Sequence, residues 1–171
     1  MKKKDETIFI VDIVGSVVAK TAAELGIEVN YVYGDAIDIL KNLKDKDGSV
    51  TRKGTKYLLF ALYMPFIEKR GIAGVYADVT IRRMTIATLT NSDDEPMVRY
   101  QNTFKPVLYP FYESFLSNFA KDNHITSKEP DLLVHSKMDV FGKSPISGIN
   151  DFVDTINLDN FQFSVFQTKF C

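Results

Sequence analysis

The chain has 171 residues, a formal net charge of −1 and a single cysteine, Cys171. A domain of that length buries roughly 70% of its unfolded surface, so neither disulfides nor a structural metal are needed to hold a core together. With 21 basic against 22 acidic residues, no global field favours nucleic acid or membrane, and no apolar run approaches the roughly 18 residues of a membrane span.

The opening stretch, MKKKDETIFIVDIVGSVV, mimics a secretory leader, with lysines ahead of an apolar run. Asp5, Glu6 and Asp12 interrupt that run and no small-residue cleavage site follows, so the chain is expected to be soluble and unexported. Cys171 can form no internal bridge, which fits folding in a reducing compartment. Ile10, Ile13, Val14, Val17, Val18, Thr21, Ala22 and Leu25 trace one helical face. Gly26 stands where a C-terminal glycine belongs, and Thr7 or Asp5 would cap the front. The β-branched residues of Thr7–Val14 suit a strand, but the 3.6-residue period continues to Leu25 and favours the helix.

Ile27–Tyr33 then sets Ile27, Val29, Tyr31 and Tyr33 against Glu28, Asn30 and Val32, the pattern of a half-buried strand ended by Gly34. A short helix is expected over Asp35–Leu43. Lys44–Lys56, KDKDGSVTRKGTK, is charged and aperiodic and reads as a mobile surface loop. Tyr57–Met64 is apolar on both faces and stops at Pro65, as a covered central strand would; a short buried helix is the alternative. Glu68–Gly74 carries the turn residues of a connection. Val75–Thr90 is the longest strand candidate. Val79 and Ile81 share a face, Met84 and Ile86 take the opposite parity, and a bulge near Arg82–Arg83 would restore one buried face.

Asn91–Pro96, NSDDEP, is a loop. Val98–Lys121 then holds the principal helix. Leu108, Phe111, Tyr112, Phe115, Leu116 and Phe119 fall on one helical face, and each large side chain fully buried contributes roughly 1.5–3 kcal/mol. Pro106 and Pro110 fit a first turn, where N–H groups lack helical partners, so the regular part is expected from Tyr109 to Ala120. Asp122–Pro130 is loop-like. Leu132–Phe141 reads as an irregular or edge strand carrying His135, Lys137 and Asp139. Ser144–Gly148 holds turn residues and Asp151–Ile156 suits one or two helical turns. Phe161–Phe170 closes the chain as a strand, with Phe161, Phe163 and Val165 on one side. No internal repeat or second composition regime divides the sequence. The expectation is a single α+β domain over residues 1–171: a mainly antiparallel or mixed sheet of four or five strands with two longer helices packed on it.

Chemistry is sparse. His124 and His135, eleven residues apart, lack the spacing or cysteine partners of a zinc site and read as surface histidines. No serine occupies a GxSxG elbow. The segment IFIVDIVGSV with Asp12, followed by GDAI with Asp35, resembles the metal-binding strand of class III nucleotide cyclases, where two carboxylates hold magnesium. Here the second aspartate follows after only 23 residues, about half that family's separation, and a helix over Ile8–Leu25 would place Asp12 on its polar face. Lys41, Lys44, Lys46, Arg52, Lys53 and Lys56 suit phosphate contact, but Asp45 and Asp47 dilute them and no aromatics offer a stacking platform. Arg82 and Arg83 suit an anion site or, more commonly, ordinary salt bridges.

Several short segments together carry a family likeness: the Tyr31-Val32-Tyr33-Gly34 strand end, the Lys56-Tyr57 opening of the apolar strand, the long Val75–Thr90 strand, and Arg99-Tyr100 followed by Phe104-Lys105-Pro106-Val107-Leu108-Tyr109-Pro110 entering the helix. In this layout the chain resembles small neck or tail proteins of tailed bacteriophages, most nearly the tail-terminator or tail-completion group, as encoded by phages and prophages of Bacteroides-like hosts. It departs from the pattern at Leu58, where a proline is expected after Lys-Tyr, and after Asn123, where the match is loose. The resemblance implies a virion structural protein, assembled in the host cytoplasm, that closes into a six-fold ring of copies of itself at the head-proximal end of the tail. Such a ring ends tube growth, meets the tail-tube protein and the head-side connector, and passes DNA only through its lumen. It implies no catalytic residue, cofactor, metal or membrane. Loop position alone nominates Lys44, Lys46, Asp47, Arg52, Lys53, Asp93, Asp94 and Glu95 as interface residues, with Leu108, Phe111, Tyr112, Phe115, Leu116 and Phe119 as scaffold. Another neck or connector ring protein is the nearest alternative. A metal-dependent nucleotide-processing enzyme built on Asp12 and Asp35, or a host adaptor, would belong to other classes.

Overall fold

The structure, a computed structural model, describes residues 9–47, 56–70, 76–126, 129–143 and 151–166. Helix α1 spans Ile10–Leu25 and buries Ile10, Ile13, Val14, Val17, Val18 and Thr21, the face the periodicity marks. It ends as expected at Gly26, whose φ of +64° is left-handed. The Gly26 N–H donates to Ala23 O and the Ile27 N–H to Ala22 O, so two end carbonyls are satisfied. The expected caps Thr7 and Asp5 lie outside the described residues. Phe9 occupies the cap position and makes no side-chain capping bond.

Strand β1 (Asn30–Gly34) leads into helix α2 (Ala36–Asp47). At the junction Gly34 has φ +139°, and a Cβ there would lie 2.6 Å from the Asp38 Cβ, so glycine is demanded twice over. Asp35 caps α2, its Oδ1 accepting the N–H groups of Ile37 (2.8 Å) and Asp38 (2.9 Å). Helix α2 runs past the expected end at Leu43, so Lys44, Lys46 and Asp47 are helical rather than part of a loop starting at Lys44. Ile39 and Leu43, spaced one turn apart, are both fully buried, and that anchorage carries the helix a turn further.

Strands β2 (Leu59–Arg70) and β3 (Tyr76–Leu89) form a long antiparallel pair. Pro65 does not stop β2. The register passes from Tyr63 opposite Arg83 to Phe66 opposite Ile81, so Met64 and Pro65 together face one residue. A bulge is where proline's missing N–H does least harm. At the same level in β3, Ile81 and Met84 are buried while Arg82 and Arg83 are exposed, the parity switch expected there. Glu68–Arg70, expected in a connection, belong to β2.

Helix α3 (Pro96–Arg99) continues into a π-helical stretch, Tyr100–Leu108, and then into α4 (Tyr109–Lys121). The regular part matches the expected Tyr109–Ala120, but helical winding starts well upstream. A wider turn spares Pro106 the clash with the preceding turn's carbonyl that an α-helix would impose. Strand β4 (Val134–Lys143) follows a short 3₁₀ turn at Pro130–Leu132, and β5 spans Val153–Phe166. Asp151–Ile156 is therefore extended rather than helical from Val153 on, because β3 offers it a partner: Leu89 faces Val153, Ala87 faces Thr155 and Ile86 faces Ile156. The turn expected at Ser144–Gly148 and the end of the closing strand beyond Phe166 lie outside the described residues.

The sheet has five strands in the order β1-β2-β3-β5-β4. β1 is parallel to β2, with α2 as the crossover, and all other pairs are antiparallel. The mixed sheet with helices packed on it is an α+β fold. On one face lie α1, the π-helical stretch and α4, over the main core. Its centre is aromatic: Phe115 stacks 4.9 Å from Phe60, and Phe119 lies 5.1 Å from Phe161 and 4.8 Å from Phe163. On the other face α2 covers a smaller cluster of Val32, Ile39, Leu43, Leu59, Ala61, Ala87 and Val153.

Candidate interaction surfaces

The nominated residues fall into three groups. In the scaffold set, Leu108, Phe111, Phe115 and Phe119 are fully buried, and Tyr112 and Leu116 pack against the same core. Among the basic candidates, Lys44 is exposed on α2. Lys46 is not an outward contact. Its Nζ donates to Asn30 Oδ1 at 2.7 Å while Asn30 Nδ2 reaches Asn42 Oδ1 at 3.2 Å, tying α2 to β1. Burial holds the Lys46 ammonium below its usual range, with Glu28 opposing. The Asp47 side chain, Arg52 and Lys53 lie outside the described residues.

The acidic candidates sit on a compact turn. Asn91 Oδ1 accepts the Asp93 N–H (3.2 Å), the Asp94 N–H reaches Asn91 O (3.3 Å), and Arg99 Nη2 donates to Ser92 O (2.8 Å). Asp93 and Glu95 are exposed, Asp94 is half-buried, and none of the three is in an ion pair among the described residues. Beside them, Leu89, Met97, Val98 and Phe152 are exposed.

Two polar clusters escaped the sequence reading. In the first, β4 is clamped to α4. Lys137 Nζ donates to Asp139 Oδ1 (2.6 Å) and lies 4.6 Å from the Tyr109 ring centre, and the Tyr109 hydroxyl donates to Asp139 Oδ2 (2.8 Å). His135 Nδ1 is 2.8 Å from Leu133 O, which can only accept, so Nδ1 carries a proton, and in the neutral ring Nε2 accepts from the Tyr112 hydroxyl at 2.7 Å. Burial first, then Asp139, pushes the Tyr109 hydroxyl up to about 12; burial likewise raises Tyr112. The signal was present: residues 135, 137 and 139 share one face of a strand, and 109 and 112 share one face of a helix. In the second cluster, fully buried Asp154 accepts from the Thr103 hydroxyl (2.6 Å) and the Gly142 N–H (2.9 Å). Gly142 has φ +60°, and a Cβ there would collide with the Arg99 guanidinium. Nothing in the sequence spacing announces this knot, because its parts come from three elements.

The remaining candidates are structural in their contacts. Arg83 pairs with Asp159 at 2.8 Å, a bond that raises the guanidinium further, while Arg82 is exposed. His124 Nδ1 lies 2.8 Å from Asp122. Asp12 is exposed on α1 and Asp35 is committed to its cap. Among the described residues no three His, Cys, Asp or Glu side chains gather as metal ligands, and no helix is long and apolar enough to cross a membrane.

Among the described residues, α2 leaves half of the second sheet face uncovered. Cross-strand register places Ile67, Thr80, Gln162 and Val134 in one row, and Tyr76 opposite Phe166 at its end. Met138 faces Asn157 on the same side. Ile67, Tyr76, Val134, Met138 and Phe166 are 43–62% exposed. A shallow hollow lies between Lys69, Asp78, Thr80, Leu132, Val134 and Gln162. Compared with protein-family models, curated proteins and solved structures, the chain has no significant match in any of the three.

Proposed function

We propose that this chain is a structural subunit of a tailed-phage particle that closes with copies of itself into a six-fold ring at the head-proximal end of the tail. The ring ends tube growth and joins the tail to the head-side connector, with DNA passing only through its lumen. It works in the virion neck after assembly in the host cytoplasm, and it needs no cofactor. The observation that carries this reading is the bare half-sheet, where Ile67, Tyr76, Val134, Met138 and Phe166 stand exposed. A subunit that spends its working life against neighbours keeps such apolar area, whereas a solitary protein rarely gathers it on one face. The polar groups support the same reading: the Asp35 cap, the β4–α4 clamp and the Asp154 knot all serve the fold. Ring closure also needs two unlike surfaces on each copy, and the sheet face that carries α2 differs in kind from the acidic corner. Negative-stain microscopy of the purified protein tests the proposal. Uniform rings with a central opening are expected; a field of solitary particles at every concentration overturns it.

A further inference from the structure

We infer that the ring contact joins the outward stripe of α2 on one copy to the acidic corner between β3 and α3 on the next. The inference rests on the ring reading above and names the surfaces that make the ring.

The stripe consists of Ile37, Lys41 and Lys44, spaced by four and three residues, so they stand on one helical face. That face points away from the buried Ile39 and Leu43. Ile37 is 60% exposed, and both lysines are exposed, with no ion pair among the described residues. Asp38 and Asp45 flank the stripe on one side only, and Asp38 is turned back to the Asp35 N–H (3.2 Å). The corner supplies the complement. Asp93, Asp94 and Glu95 present three carboxylates without an ion pair among the described residues, and Met97 (67% exposed) and Val98 extend apolar surface from them. Phe152 O accepts the Thr90 N–H at 3.0 Å, which holds the exposed Leu89 and Phe152 at the same end of the sheet.

Each surface thus offers apolar side chains beside charged groups that are in no ion pair among the described residues, and the signs of those groups are opposite. Among the described residues, no ion pair joins the two surfaces within one chain. A second copy brings to each what it lacks, and because the surfaces are unlike, the contact is head-to-tail and can close a ring. Opposite charges at the rim steer and register such contacts, and like charges set against each other oppose them.

Charge reversal with mass photometry tests this. The variants are K41E/K44E, D93K/D94K and the four-fold combination, each checked for a native circular-dichroism spectrum and thermal midpoint. The wild type is expected to assemble with rising concentration, and each double variant to need on the order of ten-fold more protein, since each sets like charges face to face. The four-fold variant is expected to assemble like wild type. An equal mixture of the two double variants is expected to co-assemble, since alternating copies restore opposite charges at every contact of an even-numbered ring. If the wild type assembles and both double variants assemble equally well, this contact is overturned while the ring reading stands. If the wild type remains a monomer throughout, both fall.

Discussion

The two faces of the sheet are built on different principles. Beneath α1 and α4, Phe60, Phe104, Phe111, Phe115, Phe119 and Phe161 are all fully buried, and the rings of Phe60, Phe115, Phe119 and Phe161 follow one another from β2 through α4 to β5. Beneath α2 the fully buried set is Ile39, Leu43, Leu59, Ala61, Ala87 and Val153, and beyond it the sheet is open. Cores are packed like solids, so a large side chain removed from the first face leaves a void that its neighbours cannot fill. The second face has the smaller cluster and, among the described residues, an exposed margin. One face is covered along its length by helices; the other is covered by α2 in part.

That asymmetry can be broken by substitution. Phe115→Ala is expected to cost about 3–5 kcal/mol, in the range of buried Phe truncations, read from the urea midpoint at constant slope. Leu43→Ala is expected near the lower end of the Leu→Ala range, about 2 kcal/mol, because small neighbours and an open margin let the site collapse. Equal costs at the two positions would remove the distinction between the faces. Tyr112→Phe deletes one hydroxyl and frees His135 Nε2, with an expected cost of about 1 kcal/mol; amide exchange should quicken in β4 before β5.

The clamp also has a pH signature. The Tyr109 hydroxyl is pushed up to about 12 in the folded chain against roughly 10 unfolded. The unfolded state therefore loses its proton first as pH rises. Stability from this group is full below about pH 10 and is lost as pH climbs through about 12. Tyr109→Phe should flatten that alkaline decline in a melting series. The smallest expected effect is on the open margin, where Met138→Gln should change monomer stability by less than about 0.5 kcal/mol.

The scaffold helix was legible because Leu108, Phe111, Phe115 and Phe119 repeat one face over three turns, a pattern only a helix explains. Gly26 and the parity switch at Arg82–Arg83 were legible for the same reason: each is a local rule written in consecutive residues. Long-range pairing overrode local signals elsewhere. Pro65 reads as a stop until a bulge opposite β3 accommodates it, and Asp151–Ile156 reads as a turn until β3 offers it an edge. Lys46 looked like a loop charge because its partner, Asn30, lies on a different element, strand β1. Of the surfaces, the charged corner at Asp93–Glu95 was visible as sequence, whereas its apolar neighbours Leu89 and Phe152 and the bare sheet rows were not. Exposure of that kind is a property of packing and has no period to read.

The claim that one face is kept for other copies is tested most directly by sedimentation velocity of the purified chain over a wide concentration range. The account predicts a monomer boundary that gives way, as concentration rises, to one discrete faster species of fixed size. A single monomer boundary at every concentration would contradict it.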